Sequence, residues 1–305
     1  MVLSEHARYY LLAFIAILGI SFSPIFVKLS EVGVISTGFF RFFIALPFLW
    51  GWMIYEQSTA NVEHLPRKIK DYIALFLSGA FLGLDILFWH WSLENTHIAN
   101  SMLLNNMTSI MVALYAWLIW KEKITAFTVL GIFAAFIGAV LLVTDGGHLN
   151  SSNLKGDVQA LVSAVFYSAY LLSVKRLRNQ FSAVTILSWG GLASVYVLAL
   201  VAFTMENTIV PTSFYGWFIL IALAFIGQIL GQGLLSYAMR YFSAAFSAVM
   251  ITFVPVISSL LAWVIFGQSL TFWKILGGIV IMSGIIITKI SEIKINPTLK
   301  KTIEN

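Results

Sequence analysis

The sequence has no cysteine in 305 residues, which excludes disulfide, thiolate and cysteine-ligated metal chemistry. It is also poor in charge: Asp, Glu, Lys and Arg make up 10% of the chain against 60% hydrophobic residues, and the mean hydropathy is +0.91. So little polar surface cannot coat a water-soluble globule of this size, and the solvent the sequence calls for is lipid. Two motifs are missing as well. Without a Gly-x-x-x-x-Gly-Lys-Ser/Thr phosphate loop the chain alone does not drive ATP-powered pumping, and His-Glu-x-x-His does not occur. The polar connections are short, the longest lying around Glu56 to Lys70 and Asp145 to Asp157, so no soluble domain is left for a second activity.

What is present is a series of ten apolar stretches, near 9–28, 34–55, 72–92, 98–119, 126–143, 158–175, 185–204, 214–236, 244–266 and 270–290. Each approaches the roughly 20 helical residues that a hydrocarbon core of about 30 Å demands. They are continuously apolar rather than alternating, so they read as helices and not as barrel strands. The first lacks a small-residue cleavage site and has its own counterpart later in the chain, so it reads as a retained transmembrane helix.

The last five stretches repeat the first five. Ala113–Thr125 aligns without gaps on Ser259–Thr271, and in the same register Ala99, Ser101, Gly131 and Gly138 meet Ala245, Ser247, Gly277 and Gly284. Close to that register Val27-Lys28 falls on Val174-Lys175, and Ala80-Phe81-Leu82-Gly83 resembles Ala224-Phe225-Ile226-Gly227. Five is odd, so the second half enters the membrane from the opposite side, giving an inverted repeat able to build two states from near-equivalent packings. The expected fold is an all-α membrane protein of ten transmembrane helices, with repeats at 1–147 and 148–296 and a polar tail at 297–305.

The net charge of +5 follows the same topology. If the spans alternate, Arg8, Arg67, Lys68, Lys70, Lys121, Lys123, Lys175, Arg176, Arg178, Arg240, Lys289, Lys294, Lys300 and Lys301 share one side, and only Lys28, Lys155 and Lys274 face the other. That asymmetry predicts both termini on the cytoplasmic side, with anionic lipid headgroups as partners of the basic patches; the expected location is the cell's inner (plasma) membrane. A nucleic-acid partner is not expected, because the basic residues are not interleaved with stacking aromatics on one face.

Polar residues within spans are costly in lipid, so they mark the candidate binding residues. In the third span Asp85, Trp89 and Ser92 fall at i, i+4 and i+7, which puts an acid, an indole and a hydroxyl on one helical face. Ser101, Asn105 and Thr108 have the same spacing in the fourth span. Gln228, Gln232 and Ser236 form a stripe in the eighth, and Ser163, Tyr167 and Tyr170 one in the sixth. Amides and hydroxyls beside rings suit a small amphipathic solute; interhelical hydrogen bonding is the competing reading, strongest for the Ser and Thr residues. His90, Glu94 and His97 have helical spacing that could ligate a metal, but at a span end they read as interfacial residues, and no metal or other cofactor is expected beyond proton or ion coupling. Asp85 and Arg41 fall at similar depths, so either they form a structural ion pair or Asp85 faces the cavity and binds a cation or a proton. Gly79-x-x-x-Gly83 and Gly227-x-x-x-Gly231 predict close helix approach at one mirrored interface, and Pro24 and Pro255 are candidate kinks.

Lys28 at the end of the first span, Arg41-Phe42 in the second, Asn95-Thr96-His97-Ile98-Ala99 leading into the fourth, and Trp120-Lys121-Glu122-Lys123-Ile124-Thr125 followed by Leu130-Gly131 together resemble the EamA branch of the drug/metabolite transporter superfamily. The resemblance implies a secondary carrier for small organic metabolites, often an exporter of amino acids or related compounds, working by alternating access. It implies a central cavity lined by the third, fourth, eighth and ninth spans, with structural or coupling roles for Arg41 and Glu122. Gln268 stands where the second half often repeats the acid found here as Glu122. A monomer suffices for such a carrier, although a homodimer remains open. A carrier of nucleotide-linked or phosphorylated solutes would want several cavity-facing Arg or Lys, and an embedded enzyme or sensor a reactive constellation or an output domain. Substitution of Asp85→Asn separates the two readings of that acid: a structural pair gives loss of folded protein, whereas a binding role gives normal yield with lost ligand binding.

Overall fold

The computed structural model describes residues 5–59, 65–96, 98–121, 124–144, 154–267 and 270–295. His97, Glu122, Gln268 and the expected tail at 297–305 lie outside them. The helices follow the ten expected stretches. Glu5–Ser21 with Ser23–Leu29, Val34–Thr59, Ile69–Asn95, Ile98–Asn105 with Thr108–Trp120, and Ala126–Thr144 form the first half. Leu154–Leu177, Ala183–Met205, the composite Phe214–Ala238, Ala244–Ile251 with Val254–Phe266, and Phe272–Ile295 form the second. Eight of these are long and apolar enough to cross a membrane, and Thr108–Ile119 and Ala126–Leu141 are shorter apolar helices.

Several spans are interrupted, and two of the interruptions are mirror images. The fourth span breaks at Asn106-Met107 and the ninth at Thr252-Phe253, which are equivalent positions of the repeat. In the ninth, Pro255 sits in the first turn of the new helix, where its missing N–H removes no hydrogen bond. Ser109 occupies the equivalent place in the fourth. There Thr108 donates its hydroxyl to the Asn105 carbonyl at 2.7 Å, while the Asn106 carbonyl accepts both the hydroxyl (3.0 Å) and the N–H (3.3 Å) of Ser109. The first span breaks at Phe22, with Pro24 in the first turn of its second segment, and Ser258 of the ninth span donates to the Ser21 carbonyl at 2.9 Å. Both candidate kinks are therefore real breaks.

The fifth and tenth spans pack against each other through their glycines. A Cβ at Gly138 would lie 2.7 Å from the Gly277 carbonyl oxygen and one at Gly284 2.5 Å from that of Gly131. Gly131 is the repeat equivalent of Gly277 and Gly138 of Gly284, so this contact maps onto itself and lies on the axis relating the halves. Thr125 and Thr271 begin these two helices by accepting from the N–H of Thr128 at 3.1 Å and of Lys274 at 3.4 Å. Both preceding spans end in a left-handed residue at equivalent positions, Lys121 (φ 53°) and Gly267 (φ 66°).

The glycine pairs of the third and eighth spans do not form one mirrored interface. Gly79 and Gly83 meet Gly190 and Ser194 of the seventh span, whereas Gly227 and Gly231 meet Ser23, Ile20 and Gly19 of the first. In the alignment of Ala80–Gly83 on Ala224–Gly227 the two glycine pairs are offset by four residues, and the eighth span is π-helical over Leu223–Gln232 where the third is a regular α-helix. A second asymmetry concerns Lys28 and Lys175. The Lys175 ammonium donates to the carbonyls of Met239 (2.9 Å), Arg240 (3.4 Å) and Phe242, tying the sixth span to the end of the eighth. Lys28 instead lies 4.5 Å above the ring of Phe266.

At the end of the bundle remote from the termini, Glu206 accepts from the backbone N–H groups of Ile35 and Ser36, both at 2.8 Å, and so caps the second span from the seventh.

Three substitutions test this packing. Gly79→Ala pushes a methyl into the backbone of Gly190 and is expected to cost about 1–3 kcal/mol, seen as a lowered melting temperature in detergent. Gly51→Ala, with nothing within 4 Å, is expected to leave it unchanged or slightly raised. Lys121→Gly gives the left-handed position the residue its repeat equivalent already has, and should stabilise by about 1 kcal/mol in the same assay.

Candidate functional site

Between the halves lies a cavity offering about 110 Å³ to water-sized molecules. Its wall comes from the first (Ile20, Ser23, Pro24), second (Arg41), third (Asp85, Ile86, Trp89), fourth (Met102, Asn105, Asn106), sixth (Tyr167), eighth (Gln232) and ninth (Ile251, Val254, Pro255) spans. Seven spans thus contribute, where the family resemblance implied four. The breaks in the first, fourth and ninth spans all occur here, so residues beside each break face the space: Ser23 and Pro24, Asn105 and Asn106, Val254 and Pro255.

Asp85 and Arg41 are both on this wall and both buried, at 6% and 4% exposure. Among the described residues they are held by different partners. Asn105 donates through Nδ2 to the Ser163 hydroxyl at 2.7 Å, and Ser163 donates to Asp85 Oδ1 at 2.7 Å, a relay joining the fourth, sixth and third spans. Arg41 donates from Nε to Gln228 Oε1 at 3.0 Å and from Nη2 to the Gly227 carbonyl at 3.4 Å. The direct structural pair expected as one alternative is replaced by two separately supported charges on one cavity.

The remaining expected site residues divide. Trp89, Asn105, Tyr167 and Gln232 line the cavity. Ser101 is hydrogen-bonded to Ser92 between the third and fourth spans, and Thr108 also approaches the Ala164 carbonyl at 3.4 Å, both serving helix contacts. Tyr170 stacks on Tyr167 with centroids 6.0 Å apart and shares a 3.4 Å hydrogen bond with Ser236. Gln228 lies behind Arg41 rather than on the wall. Two wall atoms are buried without a hydrogen-bond partner, Ser23 Oγ and Gln232 Oε1; polar atoms of this kind call for a ligand or water. The apolar residues of the wall could not be picked out of the sequence, because Ile20, Met102, Ile251 and Val254 look like any other membrane-span residue.

His90 turns away from any metal site: its Nδ1 lies 2.5 Å from the Val34 carbonyl, and the side chain is buried against the second span. Among the described residues no group of three His, Cys, Asp or Glu side chains is placed to hold a metal ion.

A second cavity, of about 650 Å³, opens toward the end that bears the termini, with Arg8, Arg178, Arg240, Glu56, Trp52, Tyr237 and Tyr241 in its wall. Arg178 is 3% exposed and donates to the carbonyls of Ser236 (2.9 Å) and Phe181 (2.6 Å). Burial pulls its pKa below the ordinary guanidinium value and Arg240 adds repulsion, against the opposing pull of Tyr241, Tyr237 and Glu56. The sequence singled out Arg41 alone as a buried arginine; Arg178 is a second, hidden by its position just past the end of an apolar run.

The EamA-like transporter family model matches this chain twice, over residues 7–144 and 154–290. An uncharacterized transporter from Archaeoglobus fulgidus is 23% identical over 278 residues, covering 87% of this chain and 92% of its own. The uncharacterized transporter YyaM of Bacillus subtilis is 24% identical over 291 residues, covering 92% of this chain and 93% of its own. One solved crystal structure superposes with a TM-score of 0.78 at 17% identity, over 94% of this chain and 98% of the other, a likeness of fold. With two matches that together span most of its length, the chain belongs to the EamA-like transporter family and is a multi-pass membrane transporter, not an enzyme.

Proposed function

We propose that the protein is a secondary carrier that moves a small amphipathic metabolite bearing an amino group, an amino acid or a related amine, out of the cytoplasm across the plasma membrane by alternating access. The observation that carries this reading is the pairing of Asp85 and Arg41 on one largely apolar cavity between the repeats, each charge held by its own partners. Asp85 with Asn105 offers acceptors to an ammonium group; Trp89 and Tyr167 offer rings to an apolar body. A buried carboxylate on a cavity wall, held by a hydroxyl rather than by a cation among the described residues, also suits proton uptake, and Asp85 is the coupling residue of this proposal. The mirrored breaks of the fourth and ninth spans supply hinges through which the cavity is offered to either side.

A second reading has one observation in its favour. Arg8, Arg178 and Arg240 around the larger cavity would suit a phosphorylated or nucleotide-linked solute entering from the basic end.

A thermal-shift series on the detergent-purified protein decides between them, because a specific ligand must stabilise the state it binds. Amino acids, polyamines, choline-like cations and nucleotides are screened against wild type and Asp85→Asn. The expected result is a shift with amino acids or amines that disappears in Asp85→Asn while the unliganded melting temperature of that variant stays close to wild type. Shifts with nucleotides alone, lost in Arg178→Gln, would establish the second reading, and shifts with neither class would refute both.

A further inference from the structure

The eighth span departs from α-helical winding over Leu223–Gln232, yet its repeat counterpart, the third span, is one continuous α-helix from Ile69 to Asn95. π-Helical turns loosen the backbone pairing and recur where a helix presents groups for function. Here the departure has a definite product. Gln228 Oε1 and the Gly227 carbonyl, adjacent in the π stretch, converge on one guanidinium, that of Arg41. Gln228 is 1% exposed and is not on the cavity wall, whereas Arg41 is. Of the five N–H donors of an arginine these bonds occupy two, leaving three without a partner among the described residues. A planar fork with free donors, held on a cavity wall, is built for an anionic oxygen pair. Asp85, on the same wall, is committed to the Ser163 and Asn105 relay and does not supply it.

We propose that Gln228 is a positioning residue that, from the π-helical stretch, holds Arg41 at the cavity so that the carrier selects solutes with a carboxylate over the corresponding amines. The inference rests on the metabolite reading above and sharpens it: the amino group goes to the side of Asp85 and the carboxylate to Arg41. The neutral amide is the essential feature, since it accepts from Nε without cancelling the charge, whereas a carboxylate there would pair with the guanidinium and leave it nothing for the solute.

The test uses the full chain in detergent and three matched probes, phenylalanine with phenethylamine, leucine with isopentylamine and lysine with cadaverine, titrated into wild type, Gln228→Glu and Gln228→Leu. For any pair that binds, wild type is expected to prefer the amino acid by about tenfold or more, the worth of one charge-assisted contact. Gln228→Glu should erase that preference by weakening the amino acid while leaving the amine within about twofold. Gln228→Leu, which removes the acceptor and adds no charge, should narrow the preference in the same direction and carries the comparison should the acid not fold. Equal weakening of both members, as a purely structural role gives, would overturn the proposal, as would an unchanged preference or a wild type that favours the amines. If wild type binds no member of any pair, the metabolite reading falls and this one with it; binding with selectivity untouched by either substitution removes the role of Gln228 alone.

Discussion

A transmembrane helix has no water with which to satisfy a broken backbone, and every irregularity in this protein is shaped by that constraint. Ten spans would be simplest as ten straight rods. Instead the first, fourth and ninth are broken and the eighth is π-wound, and each departure is matched by a local donor: the Ser258 hydroxyl for the first, the Thr108 and Ser109 hydroxyls for the fourth, the Thr252 hydroxyl for the ninth and the Arg41 guanidinium for the eighth. Because irregular backbone at membrane depth is tolerated only inside protein or along a cavity, the breaks and the cavity occur together. The site is the place where the constraint has been met by side chains rather than by helix geometry.

The self-mirrored contact of Gly131 and Gly138 with Gly284 and Gly277 holds the two halves in register, and beside it the Ser291 hydroxyl of the tenth span is hydrogen-bonded to those of Thr125 and Thr128 in the fifth. With that seam fixed at the axis, the first, second, third, fourth, sixth, eighth and ninth spans are left to form the cavity. The halves are close but not identical, and their differences carry meaning. Asp85 belongs to a regular helix of one half, and the support of Arg41 comes from a π-helical stretch in the equivalent helix of the other. Lys175 closes on three carbonyls at the termini-bearing end while its equivalent Lys28 rests on the Phe266 ring at the opposite end. An inverted repeat whose equivalent residues make unequal contacts is an asymmetric arrangement of a symmetric topology, which the alternating access proposed above would require.

Inside the cavity, two charges that could have neutralised each other are kept on separate supports. A direct pair would have been easier to bury and would have left little for a solute to recognise. The relay through Ser163 and the amide of Gln228 keep both charges available, at a cost in stability that a binding site can bear because the spans around it are held by extensive apolar packing.

Much of this was written in the sequence. The apolar lengths, the repeat and the short loops determine the number of spans and their inverted relation, because lipid admits few alternatives and hydrophobic length is read directly from composition. Of the polar residues singled out in the spans, Arg41, Asp85, Trp89, Asn105, Tyr167 and Gln232 reach one cavity. Helical spacing gives a face but not the neighbour it meets. The sequence therefore could not separate Ser101 and Thr108, which serve helix contacts, from Asn105 between them, which lines the site. Nor could it show that Gln228 supports Arg41, since that depends on the winding of a ten-residue π stretch whose composition is ordinary. Span number and topology follow from the chain's own hydrophobicity, a local and additive property. Which polar groups converge depends on helix rotation and breaks, and those are decided only when all ten spans pack together.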